Sequence, residues 1–503
     1  MSTVNLRSRL NRGIKKLNTA YPKGAAGVSG TPLGLPINYR VCYSRDTLIV
    51  FFNGRCLRGV DRVSLVRGWL FLGISSLVFA GLLSVILVFS RTPYVQNIFP
   101  LIKDFKVALV VHVDLSVLIW FVAFAGVLWS TYGSGRLLWL GYVSLFFCAF
   151  GTLTIALSPF LGSGHALMNN YIPVLNEKFF LAGLIIFLFG FFILSLRSLI
   201  VIRVQEAFKS LDAAVQLGLK LSGFIGIMSV LAIVYTYFKI PSGLDETKYY
   251  EILFWGGGHI MQFMHTLLML IAWVLLACKC GIDFPKLPSW FFSVVFLVVF
   301  IGSMVSPCIF MTAAVETVRF REAFTTLMEW GIGYSVVIVA LMVLYGLIKR
   351  KEKHNNHLLA ALMSSVLLFG AGGMIGYLIN GVNVTIPAHY HGAIVGVTLA
   401  YMGLTYLYLP GLGFSNVTVK LAALQAYLYG AGQLMHISGL AWAGGYNVQR
   451  KVTGMEQGLD TVKKIAGMSL MGLGGVVAVL GGFLFLYVTL RALRRSGTGG
   501  AGI

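Results

Sequence analysis

Apolar stretches of about twenty residues, separated by short polar connections, recur along the chain from Val66 onward. Twelve can be counted: 66–90, 107–131, 137–159, 179–197, 219–238, 251–277, 289–312, 324–348, 357–379, 386–409, 418–444 and 465–490. Each is long enough to cross the hydrocarbon core of a bilayer as a helix. The pattern predicts an all-α, polytopic membrane protein built as one twelve-helix bundle. No internal repeat and no second soluble domain is evident.

Composition agrees. Of the 503 residues 57% are hydrophobic and 11% charged, which excludes an ordinary soluble domain of this size. The first apolar run begins behind a long basic segment, so no signal peptide is expected. The expected organisation is a basic cytoplasmic segment over 1–65, a membrane domain over 66–490 and a cytoplasmic tail over 491–503. Within the first segment "TLIVFFNGRCL" suggests a small hairpin turning at Asn53-Gly54.

The net charge of +22 does not require nucleic acid. With connections assigned to alternate sides, the N-terminal segment, the even-numbered connections and the tail hold 27 of the 39 lysines and arginines. The positive-inside rule then predicts both termini in the cytoplasm, as in a bacterial inner membrane. The basic segment suits anionic lipid headgroups or a docking arm for another subunit. The six cysteines are scattered, so no disulfide framework is expected.

Histidines change the picture. His112, His259, His389, His391 and His436 all fall in the predicted outer half of the membrane, on four spans. Ionisable residues at such depth are costly and usually functional. His389 and His391 stand two apart, hence about 200° apart around one helix. They cannot share one small ion, but they suit two flat cofactors on opposite flanks. Haem is the obvious candidate, because neutral imidazole is its common axial ligand. The reading is therefore a haem layer toward the outer face, with His112 at a depth that fits a second ligand to one haem.

Four segments carry a family resemblance: "HVDLSVLIWFVAFAG" (112–126), "WGGGHIMQF" (255–263), "HYH" (389–391) and "MHISGLAWAGGYNVQRK" (435–451). In order and depth they resemble subunit I of the haem–copper oxidase and nitric oxide reductase superfamily. The resemblance implies a subunit-I-type bundle with two haems, of b-type or related. It implies that His112 and His391 ligate a low-spin haem and His389 a high-spin haem. It also implies that Arg450 and Lys451 meet haem propionates, and that His436 is a neighbour rather than a ligand. Partners implied are other subunits of a membrane respiratory complex and an electron donor, cytochrome c or a quinol. No C-x-x-C-H occurs, so no c-type haem is expected on this chain.

The chain departs from that pattern at the copper site. His259 stands at the first copper position, but the seventh span, "FFSVVFLVVFIGSMVSPCIFMTAAVETVRF", holds no histidine. Ser306, Pro307, Cys308 and Ile309 occupy the region where the pair belongs. A single imidazole holds copper poorly, so tightly bound copper is not expected. Phe263 stands where many oxidases place a tyrosine, and the spans carry almost no acid other than Asp114 and Glu329, with Glu316 near the outer end of the seventh. The leading expectation is a haem-binding electron-transfer subunit with a degenerate copper site. An active divergent terminal oxidase or nitric oxide reductase, and a non-haem structural or assembly subunit, remain alternatives. Whether the chain is itself an enzyme stays open at this point.

Overall fold

The computed structural model describes residues 41–44, 47–52, 55–58, 60–95, 105–161, 164–206, 208–282, 284, 287–288, 290–350 and 356–494. Twelve helical segments follow one another: α1 (Val60–Arg91), α2 (Phe105–Tyr132), α3 (Leu138–Leu161), α4 (Lys178–Val201), α5 (Leu211–Lys239), α6 (Glu246–Lys279), α7 (Phe291–Thr312), α8 (Val318–Lys349), α9 (Asn356–Gly376), α10 (Thr385–Tyr408), α11 (Val419–Gly444) and α12 (Val462–Leu493). They coincide one for one with the predicted apolar stretches. Ten are long and apolar enough to cross a membrane by composition. The other two, α10 and α11, are 24 and 26 residues long, which also suffices to span. Histidine, tyrosine and glycine dilute their apolar character. The chain is a multi-pass membrane protein.

Helix starts are fixed by local chemistry. Glu177, Ser210, Asp245, Thr317 and Thr461 each accept a hydrogen bond from a first-turn backbone N–H, at the starts of α4, α5, α6, α8 and α12. Three helices are irregular. In α2 a π-helical turn covers Asp114–Ile119, beginning two residues after His112. The α7 helix breaks between Ser303 and Ser306, where Pro307 opens its second piece, Ser306–Thr312. The α8 helix breaks at Ile332 into Val318–Gly331 and Gly333–Lys349.

The most extensive packing is of α11 on α12, α9 on α10, α3 on α4 and α5 on α6, and α1 packs on both α2 and α12. Hydrogen bonds define the two ends of the bundle. On one, Arg62 donates to the carbonyls of Ser130 and Thr131, Arg67 to that of Leu412, and the Ser415 N–H to that of Ala492. This end holds the start of α1 and the end of α12, and is the termini face. At the opposite end β4 (His165–Leu167) pairs antiparallel with β5 (Val174–Asn176) in the α3–α4 connection. This is the hairpin face.

The three strands ahead of α1 are β1 (Val41–Ser44), β2 (Thr47–Phe52) and β3 (Arg55–Arg58), in an antiparallel sheet in sequence order. The register Phe52↔Arg55 bears out the expected hairpin, although Asn53-Gly54 itself lies outside the described residues. Residues 1–40, His354 and the tail beyond Arg494 lie outside them too.

Candidate functional site

All five histidines singled out in the sequence lie in the half of the bundle toward the hairpin face. His112 stands seven residues inside α2, His389 and His391 four and six inside α10, and His436 eight short of the end of α11. His259 lies thirteen residues into the long helix α6.

Four of the rings are oriented alike. Nδ1–H of His112 donates to the Ala80 carbonyl on α1 (2.9 Å), and that of His389 to Gly372 on α9 (2.8 Å). His436 donates to Met471 on α12 (3.0 Å), and His259 to Trp255 one turn back on α6 (2.7 Å). A carbonyl only accepts, so each bond fixes the tautomer with the proton on Nδ1. Nε2 is left as the lone-pair nitrogen. Metal-ligating histidines are held in this way.

His389 and His391 diverge, as the 200° offset requires. His389 faces α9, where a Cβ on Gly376 would stand 2.8 Å from its Nδ1. Its approach depends on Gly372 and Gly392, whose backbones touch: a Cβ on Gly392 would lie 2.5 Å from the Gly372 Cα. His391 turns the other way, its ring 5.1 Å from that of His436. The electrostatic neighbours of His391 are His436, His112 and Arg91. The structure thus gathers imidazoles from α2, α10 and α11 on one flank of α10 and leaves His389 on the other. Asp114 is buried beside His112 in sequence, and its Oδ2 has no partner among the described residues.

His259 sits in a different enclosure. Its ring lies 4.8 Å from Trp255, 5.2 Å from Phe324 and 4.7 Å from Tyr171, centroid to centroid. Because its Nδ1 is a donor, Nε2 accepts the Tyr171 hydroxyl at 2.8 Å. The glycines of "WGGGH" admit these rings. A Cβ on Gly258 would fall 2.4 Å from the Tyr171 ring, and one on Gly256 would fall 2.6 Å from Phe310. One turn deeper, Phe263 fills the space between the two helix breaks, touching Gly302 of α7 and Gly331 of α8. Ser306 is buried, its hydroxyl without a partner among the described residues, while Cys308 is exposed.

Tyr171 belongs to the β4–β5 hairpin, which is tied down on two sides. Asn170 donates from its backbone N–H and its Nδ2 to the Glu251 carboxylate (2.9 and 2.5 Å). Arg450 donates to Asn170 Oδ1 at 2.9 Å, and Lys451 Nζ donates to the carbonyls of Met168 (2.6 Å) and Asn169 (3.2 Å). His165 and Asn176 both hold Glu246, at 2.7 Å each. The basic pair expected at haem propionates thus points at the hairpin in this structure. Lys451 adopts a left-handed backbone, φ 62°. Burial, with Arg450 beside it, pushes its ammonium down to about 8 despite the opposing Glu251. Burial first, and Glu251 second, hold the Tyr171 phenol well above its ordinary value.

No family model matches the chain. It is 30% identical over 493 residues to an uncharacterized protein of Rickettsia prowazekii (strain Madrid E), covering 84% of this chain and 95% of that one. The chain belongs to the family of that Rickettsia protein. An uncharacterized protein of Aquifex aeolicus (strain VF5) is 32% identical over 350 residues, covering 69% of this chain and 85% of the other. Among solved structures, a heme-copper terminal oxidase dimer determined by cryo-EM superposes with a TM-score of 0.68. It covers 86% of this chain and 84% of that one at 17% identity, so the likeness is one of fold. The expected subunit-I-type architecture is therefore present.

Sequence reasoning missed Tyr171. It lies in a connection, 88 positions from His259, and no periodicity points to it. The Gly256-Gly257-Gly258 run was the available signal, since three consecutive glycines in a helix let neighbours approach closely on more than one side.

Proposed function

We propose that this chain is a haem-carrying electron-transfer subunit of a membrane respiratory complex, on an oxidase-type scaffold, with two haems and no tightly bound copper. The observation that carries the reading is the shared orientation of the imidazoles. His112 and His389 each commit Nδ1–H to a carbonyl of a neighbouring helix and leave Nε2 as the ligating atom. The donor set fits haem. His112 and His391 would hold a low-spin haem on one flank of α10, and His389 a high-spin haem on the other. Bound haem supplies one-electron redox chemistry. Arg450 and Lys451 stand at the hairpin face, where they would share propionates with the Asn170 contact.

The copper position supports the second half of the proposal. His259 Nε2, the atom copper would need, already accepts the Tyr171 hydroxyl, and the ring is walled by Trp255 and Phe324. In this reading both termini face the cytoplasm of a bacterial inner membrane. The haem layer then lies toward the outer face, and electrons come from a quinol or a cytochrome c. The second reading, an active terminal oxidase or nitric oxide reductase, is favoured by one observation, the buried Tyr171 phenol beside His259.

Iron, copper and haem analysis of the purified chain separates these. Two haems and no stoichiometric copper are expected. The low-spin signal of the reduced-minus-oxidised spectrum should vanish in His112→Ala and in His391→Ala, and His389→Ala should lose the other haem. An unchanged spectrum in all three variants would sink the haem assignment. One copper per chain that disappears in His259→Ala would promote the oxidase reading.

A further inference from the structure

The first piece of α8, Val318–Gly331, presents a polar stripe to the outside of the bundle. Arg319, Glu322, Thr325, Thr326 and Glu329 are all exposed. They recur at helical spacing along one face, while Phe320, Phe324 and Leu327 bury the other. None of the three charged side chains has an ion-pair partner among the described residues.

Depth makes this stripe unusual. Gly331 packs on Gly302, where a Cβ would lie 2.9 Å from the Gly331 carbonyl oxygen. Gly302 lies eleven residues inside the start of α7 and ten short of its end, about 15 Å from either. Glu329, two residues from Gly331 and eleven inside the start of α8, therefore lies within the membrane, in the half toward the hairpin face. Trp330 beside it is 62% exposed. Intramembrane acids normally face the bundle interior or a water-filled path. This one faces outward, where hydrocarbon offers its carboxyl no hydrogen bond.

We propose that this face of α8 is the seat of a transmembrane helix from a different protein. That helix carries a lysine, arginine or histidine at the depth of Glu329 and a hydrogen-bond acceptor higher up, opposite Arg319. Charge complementarity selects the occupant over a second copy of this chain. Copies in one membrane are related by an axis normal to it, so Glu329 would meet groups at its own depth. The lysines and arginines of the described helices lie toward the helix ends, and those deepest in their helices, Lys220, Arg67 and Arg197, are in the half toward the termini face. The proposal rests on the membrane-spanning fold and not on the haem reading.

The test is site-specific photo-cross-linking of the full chain in native membranes, with p-benzoylphenylalanine at Thr326. The expected product joins Thr326 to a membrane-spanning segment of another protein that contains a basic residue. Glu329→Gln should lower its yield about tenfold, the loss expected for one buried charge-assisted hydrogen bond. Exchanging the charges, with Glu329→Lys here and the partner's basic residue changed to glutamate, should restore it. Spectral and folding controls on Glu329→Gln distinguish lost contact from lost protein. Cross-links to lipid only, to a second copy, within the chain, or to a segment without a basic residue would overturn the proposal. So would a yield indifferent to Glu329→Gln in folded protein.

Discussion

The Tyr171 hydroxyl donates to Nε2 of His259 across 2.8 Å, joining a loop hairpin to the middle of a membrane helix. His259 has both nitrogens engaged, since its Nδ1–H is held by the Trp255 carbonyl. The imidazole therefore sits in a fixed tautomer with no free lone pair. Tyr171→Phe keeps the ring over Gly258 and removes only the donor. A buried acceptor left unpaired costs about 1–3 kcal/mol. The variant should be less stable by that amount in a denaturation series in detergent, and His259 should react faster with diethyl pyrocarbonate. Equal stability and equal reactivity would show that the bond contributes nothing.

Glu251 is the anchor of the hairpin. It accepts twice from Asn170, and Arg450 holds the same residue from the other side. Glu251→Ala removes a charge-assisted pair of bonds, each worth about 1.5–3 kcal/mol. Hydrogen exchange should quicken at Asn170 and Tyr171 by at least about tenfold, while the amides in the middle of α6 keep their protection. Uniform loss of protection would mean that Glu251 supports the bundle and not the hairpin.

Lys451 should titrate near 8, below its ordinary value, because burial disfavours its charged form. The sign follows from linkage. Between about 8 and the unfolded value the unfolded chain binds the extra proton, so this group's contribution to stability rises with pH across that window. Competitive acetylation read by mass spectrometry should show half-maximal nucleophilicity of Lys451 near pH 8. A profile like that of exposed lysines would contradict the burial.

Close approach of α9 and α10 places His389. Gly392→Ala inserts a methyl group 2.5 Å from the Gly372 Cα, and no flexible side chain can give way there. The helices must separate, and the His389–Gly372 bond stretches with them. Overpacking of this kind costs about 1–3 kcal/mol. Gly370→Ala, in the same region of α9 with nothing within 4 Å, should be neutral or stabilising by up to about 1 kcal/mol. The pair of variants, compared by thermal denaturation, isolates packing from helix propensity. Equal effects would remove the case for a tight contact.

The sequence alone determined the twelve spans, because membrane-crossing length is a property of consecutive residues and survives without any knowledge of neighbours. It also determined that His389 and His391 point to different flanks, because helix geometry fixes the angle between positions two apart. Phe263 and the absence of histidine from the seventh span were likewise plain. Partners across the fold were not. Ala80 and Met471 hold His112 and His436 from 32 and 35 positions away, and Arg450 reaches Asn170 across 280. Such contacts depend on which helices lie side by side and how far their backbones interpenetrate. Glycines such as Gly258 and Gly392 set that distance, but they do not say what comes close. Only the packed bundle decided that a tyrosine from a loop would fill the place beside His259. Only the packed bundle, too, left Glu329 on an outward face.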